Sequence, residues 1–225
     1  MTPIVLFATP TFDKTVSVDF HTSMLGTYAR LWKAGIPCDS HIVAGNQWVD
    51  TARNEAVHYF LNAEVGFTDL VFIDSDQGWD PAVIERIVRD KHLVVGALPP
   101  KKCDPVTYHM NGLTGVIEGH LFQSIECGTG LMRIKREIFA RLDERHPDLA
   151  IATQTQFPWP HMPYFQTGNT KYGRIGEDVF FCRLLREIGE FIWIDSDVDF
   201  THIGHKRWKG NFYEHCVATG LLKTG

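Results

Sequence analysis

Leu70-Val71-Phe72-Ile73-Asp74-Ser75-Asp76, followed by Gln77-Gly78-Trp79-Asp80-Pro81, ends an apolar run of strand length with two carboxylates at spacing two. Alternate residues of a strand point the same way, so the spacing predicts that Asp74 and Asp76 face one cleft where a buried strand stops, with the following Gly78 letting the chain turn away. Two hard oxygen ligands so placed suit Mg²⁺ or Mn²⁺, which keep part of their water and share their shell with substrate phosphates. Asp-x-Asp alone is far more often a turn or a helix N-cap than a metal site, so its meaning depends on the surrounding chain.

Upstream, Ile4 to Ala8 reads as a strand running into Thr9-Pro10-Thr11. Residues 22–34 carry Met24, Leu25, Tyr28, Leu31 and Trp32 at helical spacing, closed by Gly35. A strand over 40–44 and a helix over 50–62, with Ala52, Ala56, Tyr59 and Phe60 on one side, precede the Asp-x-Asp. Downstream, Asp80-Pro81 supplies an N-cap and a first-turn proline to a helix through Val83, Ile84, Ile87 and Val88, and Leu93 to Ala97 is a fourth apolar strand. Short apolar strands alternating with helices predict an α/β fold of Rossmann-like type, with a mostly parallel central sheet flanked by helices on both faces. Ligands of such sheets sit beyond the carboxyl ends of the strands, where Asp74 and Asp76 fall.

After residue 98 the pattern changes. Leu98-Pro99-Pro100-Lys101-Lys102 opens an irregular region, residues 112–118 and 120–125 read as strands, and Gly128-Thr129-Gly130 precedes a strand over 131–134 and a helix over 135–142. Residues 152–175 form a long aperiodic connection with Phe157, Trp159, Tyr164, Phe165 and Tyr172, read either as a packed cover or as rings that stack on a sugar or base. Gly176-Glu177-Asp178 heads a helix through Val179, Phe180, Cys182, Leu184, Leu185 and Ile188. A strand over 191–194, a second Asp195-Ser196-Asp197, and His202-Ile203-Gly204-His205 follow.

The 225 residues suit one domain, 1–225, divided into a half at 1–98 and a half at 99–225. A composition of 44% hydrophobic and 22% charged residues excludes disorder and low complexity. A net charge of -5 argues against a nucleic-acid binder, which carries a basic patch. Five scattered cysteines without a C-x-x-C pair imply neither a disulfide framework nor a zinc cluster. With no signal segment and no run of the ~18 apolar residues that a membrane span needs, a cytoplasmic protein is expected.

In order, these residues resemble the nucleotide-sugar-dependent glycosyltransferases of the GT-A fold. The shared pieces are the opening strand ending in Thr9-Pro10, Ala52-Arg53-Asn54 at a helix start, and Phe72-Ile73-Asp74-Ser75-Asp76 as the DxD element. Gly128-Thr129-Gly130, Glu177-Asp178-Val179-Phe180-Phe181 and His202-Ile203-Gly204 complete the set, over about residues 3 to 210. The resemblance implies a transferase that moves a sugar from a nucleoside-diphosphate sugar, with a UDP-sugar favoured, to a hydroxyl acceptor with the help of Mn²⁺ or Mg²⁺. Residues 1–98 would then be the nucleotide-binding half and 99–225 the acceptor-side half, ending in a C-terminal metal-ligand segment. It implies Asp76 as direct metal ligand, Asp74 on the ribose or on the metal through water, and His202 as a further metal ligand. It also implies Arg53 on a phosphate or on the DxD carboxylates, Thr9, Pro10 and Ser75 on the donor, Asp178 as general base and Glu177 as a residue that places sugar or acceptor.

Asp195-Ser196-Asp197, seven residues before His202, is assigned a structural or secondary role. Glu177-Asp178 leans toward an inverting reaction, while His202-Ile203-Gly204 followed by Lys206-Arg207-Trp208 is similar to elements of retaining enzymes. A metal-dependent phosphoesterase and a non-catalytic nucleotide- or sugar-binding module are the alternatives from other classes. Sugar nucleotidyltransferases carry a glycine-rich loop after strand one, which Thr9-Pro10-Thr11-Phe12-Asp13 lacks. The acceptor is open among saccharides, small molecules, proteins and a hydroxymethylated DNA base. Lys101, Lys102, Lys206, Arg207 and Lys209 read as a solvated cluster or as charge for a diphosphate.

Overall fold

The computed structural model describes residues 2–110, 112–149, 162–170 and 173–222. The chain begins with β1 (Val5–Thr11), α1 (Val18–Lys33), β2 (Cys38–Ala44), α2 (Val49–Asn62) and β3 (Asp69–Ile73), continuing through β4 (Gln77–Trp79), α3 (Pro81–Arg89) and β5 (Val94–Gly96). The second part holds β6 (Leu113–Glu118), β7 (Leu121–Ser124), β8 (Leu131–Lys135), α4 (Arg136–Arg145), β9 (Gly168–Thr170) and β10 (Gly173–Ile175). It ends with α5 (Glu177–Glu187), β11 (Ile192–Asp195), β12 (Asp199–Ile203), β13 (Arg207–Asn211) and α6 (Phe212–Ala218).

Eight strands make one sheet in the order β2-β1-β3-β8-β5-β11-β7-β6, helices cover both of its faces, and β13-β12-β4 form a small sheet beside it. The α/β architecture is the one the sequence predicts, but its pairing is more mixed. β2, β1, β3, β5, β11 and β6 run one way while β8 and β7 run against them, so only three of the seven pairings are parallel. The reversal of β8 matters for the site. Because it is antiparallel to β3 and β5, its leading turn, Gly128-Thr129-Gly130, lies at the carboxyl ends of both neighbours, and Asp74 N donates to Gly130 O at 3.0 Å.

Local chemistry accounts for the main element boundaries. Ser17 caps α1 by accepting from Phe20 N, and Asp80 caps α3 by accepting from Ala82 N with Pro81 in the first turn. Helix α1 therefore begins a turn earlier than its apolar spacing suggests, and its faces differ from expectation. Met24 and Leu31 pack inward, while Leu25 is exposed and Trp32 is 85% exposed, because only one stripe of α1 meets the core.

Of the long aromatic segment, Phe157, Trp159 and Tyr172 lie outside the described residues. Tyr164 and Phe165 belong to the core: Phe165 stacks on Phe181 at 4.7 Å and meets Phe72 edge-on at 5.3 Å, and Tyr164 Oη donates to Asp143 at 2.6 Å. The strap they form is held by Asn54, whose Nδ2 donates to Phe165 O at 2.7 Å and whose Oδ1 accepts from Phe165 N at 3.1 Å. Asp195 is structural, as assigned, with both carboxylate oxygens on the Arg86 guanidinium at 2.7 and 3.1 Å.

Candidate active site

Strand β3 stops at Ile73, so Asp74, Ser75 and Asp76 sit on the turn before β4, and the alternation of a strand does not set their directions. The two carboxylates enter separate networks. Asp74 Oδ1 accepts from Arg53 Nη2 at 3.1 Å, and Arg53 Nε donates to Glu177 Oε1 at 3.2 Å. Arg53 stands in the second turn of α2 rather than at its start. It is only 3% exposed, lies 5.2 Å over the Phe72 ring, and leaves Nη1 buried without a partner. One guanidinium thus fixes the strand-end carboxylate and the first residue of α5 together, a task suited to its planar fork of donors.

Asp76 belongs to the other network. Lys102 Nζ lies 2.5 Å from its Oδ2, and His202 Nε2 lies 3.6 Å from its Oδ1. Burial pushes the Asp76 carboxyl up, but the His202 and Lys102 groups beside it outweigh burial and hold it below the usual carboxylate range. His202 comes from β12, and its Nδ1 meets Pro100 O at 2.7 Å. A carbonyl only accepts, so Nδ1 donates to it, and Nε2 is the ring nitrogen on the Asp76 side. Lys102, read from the sequence either as one of a solvated cluster or as charge for a diphosphate, is in contact with Asp76. Among the described residues no three His, Cys, Asp or Glu side chains converge as metal ligands. Asp74, expected in that set, is instead engaged by Arg53.

Asp178 lies in the first turn of α5, after the N-cap Gly176. Its Oδ1 accepts from Val179 N at 2.7 Å, and its Oδ2 is turned toward Gly128. The positive end of the helix favours a carboxylate there.

A cavity of about 290 Å³ brings Arg53, Asp74, Gln77, Glu177, Asp178 and His202 together with the Gly128-Thr129-Gly130 turn. Thr9, Pro10, Ser75 and Asp76 do not line it. Thr9 and Pro10 are within β1, where Pro10 pairs with Val43, and Ser75 O accepts from Ser17 N. Gln77 and His109 are among the lining residues that the sequence did not mark as part of a site. His109 sits in the aperiodic stretch before β6 and carries no local signal. Burial and the Lys101 charge lower its pKa against the pull of Asp178. Gln77 had one signal, a polar side chain opening an otherwise apolar strand directly after the Asp-x-Asp. A wider groove of about 710 Å³ by Asp19, Trp79, Arg207 and Lys209 shares no residue with the cavity.

No protein-family profile matches the chain, and no curated protein matches it. Its fold is shared with solved structures. A197 from STIV aligns over 93% of this chain and 91% of its own, with 18% identity and a TM-score of 0.54. The catalytic domain of Drosophila beta1,4galactosyltransferase 7, solved in complex with xylobiose, aligns over 100% of this chain and 83% of its own, with 15% identity and a TM-score of 0.52. At such identities the likeness establishes the architecture, a Rossmann-like sheet of the kind a glycosyltransferase uses, and leaves the chemistry to the residues.

Proposed function

We propose that the protein is a glycosyltransferase that moves a sugar from a nucleoside-diphosphate sugar to a hydroxyl acceptor with inversion. The observation that carries this reading is the single cavity in which an oriented carboxylate, Asp178, faces Arg53, Asp74 and His202 at the carboxyl ends of β3 and β5.

In this reading Asp178 takes the proton of the acceptor hydroxyl through Oδ2, because Oδ1 is held by the Val179 amide. The acceptor oxygen forms a bond to the anomeric carbon on one face while the bond to the diphosphate oxygen breaks on the other. The nucleoside diphosphate leaves with that electron pair. Glu177 acts through Arg53, keeping the guanidinium in place, and the buried Arg53 Nη1 offers a donor to the cavity. Lys102 brings positive charge to Asp76, and the charge of Lys101 acts on His109.

The donor set fits a divalent cation. Asp76 Oδ1 and His202 Nε2, a carboxylate oxygen and an imidazole nitrogen, lie 3.6 Å apart, and the Lys102 ammonium stands against the same carboxylate. Asp76 and His202 would hold Mn²⁺ or Mg²⁺, and when bound the cation offsets negative charge on the departing diphosphate. Asp74 is a ribose or outer-sphere residue held by Arg53.

The test is nucleoside-diphosphate release from a panel of nucleotide sugars with Mn²⁺ and saccharide acceptors. Release from one donor that is lost in Asp178→Ala and Asp76→Ala supports the reading. Release of inorganic phosphate from simple esters, unchanged in Asp178→Ala, would favour a phosphoesterase.

A further inference from the structure

Strand β4 is three residues long and buried throughout, and Gln77 in it is 1% exposed with its Oε1 unpartnered. Buried side-chain oxygens nearly always find a donor, so an orphan acceptor on a residue that lines a cavity is an uncommon arrangement. The local structure holds it there. Gln77 is the cross-strand partner of His202, so both side chains stand on the same face of the β4-β12 pair. On its other side the carboxamide lies against the α-carbon of Gly130, where any Cβ would collide with Gln77 Nε2 and approach Asp74 Oδ2 to 3.4 Å. A glycine at 130 is what lets the amide occupy the floor between Asp74 and His202.

Resting on the nucleotide-sugar reading, we propose that Gln77 selects the transferred sugar, its Oε1 accepting a hydrogen bond from a ring hydroxyl of a hexose-type donor. Three features point to a neutral, hydroxyl-bearing group. The cavity is at the small end of ligand sites, sized for a monosaccharide unit rather than for a whole nucleotide sugar. A carboxamide carries no charge, so it offers a phosphate no electrostatic attraction. The second orphan in the cavity, Arg53 Nη1, is a donor, and a hydroxyl is the group able both to donate to Gln77 and to accept from Arg53. Sites built to bond a hydroxyl reject analogues that lack it, because the site's polar atom is then left unpaired.

The test compares binding of a nucleoside diphosphate with binding of its hexosyl derivative, by calorimetry with Mn²⁺ present, in wild type, Gln77→Met and Gly130→Ala. The wild type binds the hexosyl derivative more tightly than the bare diphosphate. Gln77→Met keeps the diphosphate affinity and loses on the order of tenfold of the sugar increment, as expected for one hydrogen bond. Gly130→Ala, which displaces the amide, loses a similar share. A mono-deoxy donor lacking the contacted hydroxyl binds wild type and Gln77→Met alike. The melting temperature of Gln77→Met equals or exceeds that of wild type, since a buried orphan is removed. An undiminished sugar increment in Gln77→Met, or a lower melting temperature showing that the fold needs the amide, overturns the assignment. Failure of wild type to bind any nucleoside diphosphate overturns the underlying functional reading instead, and is seen before either variant is made.

Discussion

Arg53 and Glu177, 124 positions apart in the chain, meet at 3.2 Å, and the same guanidinium reaches Asp74 at 3.1 Å. Helix α2 and helix α5 are thereby keyed to the end of β3 through one buried side chain. Arg53→Ala leaves Glu177 largely buried without its partner, and loss of one member of a buried pair costs about 3–5 kcal/mol. Urea unfolding of Arg53→Ala is expected to show a loss of that size, with Arg53→Lys intermediate because it keeps the charge but not the fork. Stability within 1 kcal/mol of wild type would contradict the account.

Asn54 does for the strap what Arg53 does for the site. Asn54→Ala leaves the N–H and the C=O of Phe165 unpaired in the core, at a cost of about 2–3 kcal/mol. Limited proteolysis is expected to cleave the variant sooner than wild type. Asn54→Asp, which sets a carboxylate against the Phe165 carbonyl, is expected to be no better than Asn54→Ala.

Lys102 competes for Asp76. At about 4 Å a unit charge opposes a second cation by roughly 1–4 kcal/mol between water and a protein surface. Lys102→Met is therefore expected to tighten Mn²⁺ binding about tenfold, measured by the loss of the free-Mn²⁺ electron paramagnetic resonance signal. Unchanged or weaker binding would mean that Lys102 does not share the cation's place.

Acid is expected to weaken the fold before it reaches the carboxylates. Burial holds His41 and His109 below their ordinary value of 6.5, so as pH falls through 6.5 the unfolded chain takes up protons before the folded one. The stability these groups permit is complete above pH 6.5 and declines below it. Asp76, lowered from 3.8, acts in the same sense at lower pH: its contribution is present above 3.8 and is lost only as pH falls further, through the folded value. Thermal melts from pH 8 to 5 are expected to fall below pH 6.5, and His41→Gln to flatten that slope. A melting temperature that rises on acidification would contradict this assignment.

How far the sequence discloses this arrangement varies by element. Asp80-Pro81 marks the start of α3, and the apolar run before Asp74 marks β3, because caps and strand composition are local properties. The sense of β8 is not local. Leu131-Met132-Arg133-Ile134 is apolar whichever way it runs, so the mixed pairing and the position of the Gly128-Thr129-Gly130 turn required the fold. Trp32 sits at the right spacing on α1 yet faces outward, since periodicity finds a stripe but not which flank of it meets the sheet. At the site, Asp74, Glu177, Asp178, Arg53 and His202 were legible as motifs and do line one cavity. Lys102 and Gln77 were not, because their meaning lies in contacts with Asp76 and Gly130 across intervening loops and strands.

The most direct measurement is calorimetric titration of UDP, GDP, CDP and dTDP, with and without Mn²⁺, into wild type and Asp76→Ala. The account predicts that one nucleoside diphosphate binds wild type, that Mn²⁺ strengthens it, and that Asp76→Ala abolishes the metal's contribution. Absence of binding by every nucleotide, or binding that ignores both Mn²⁺ and the substitution, would contradict it.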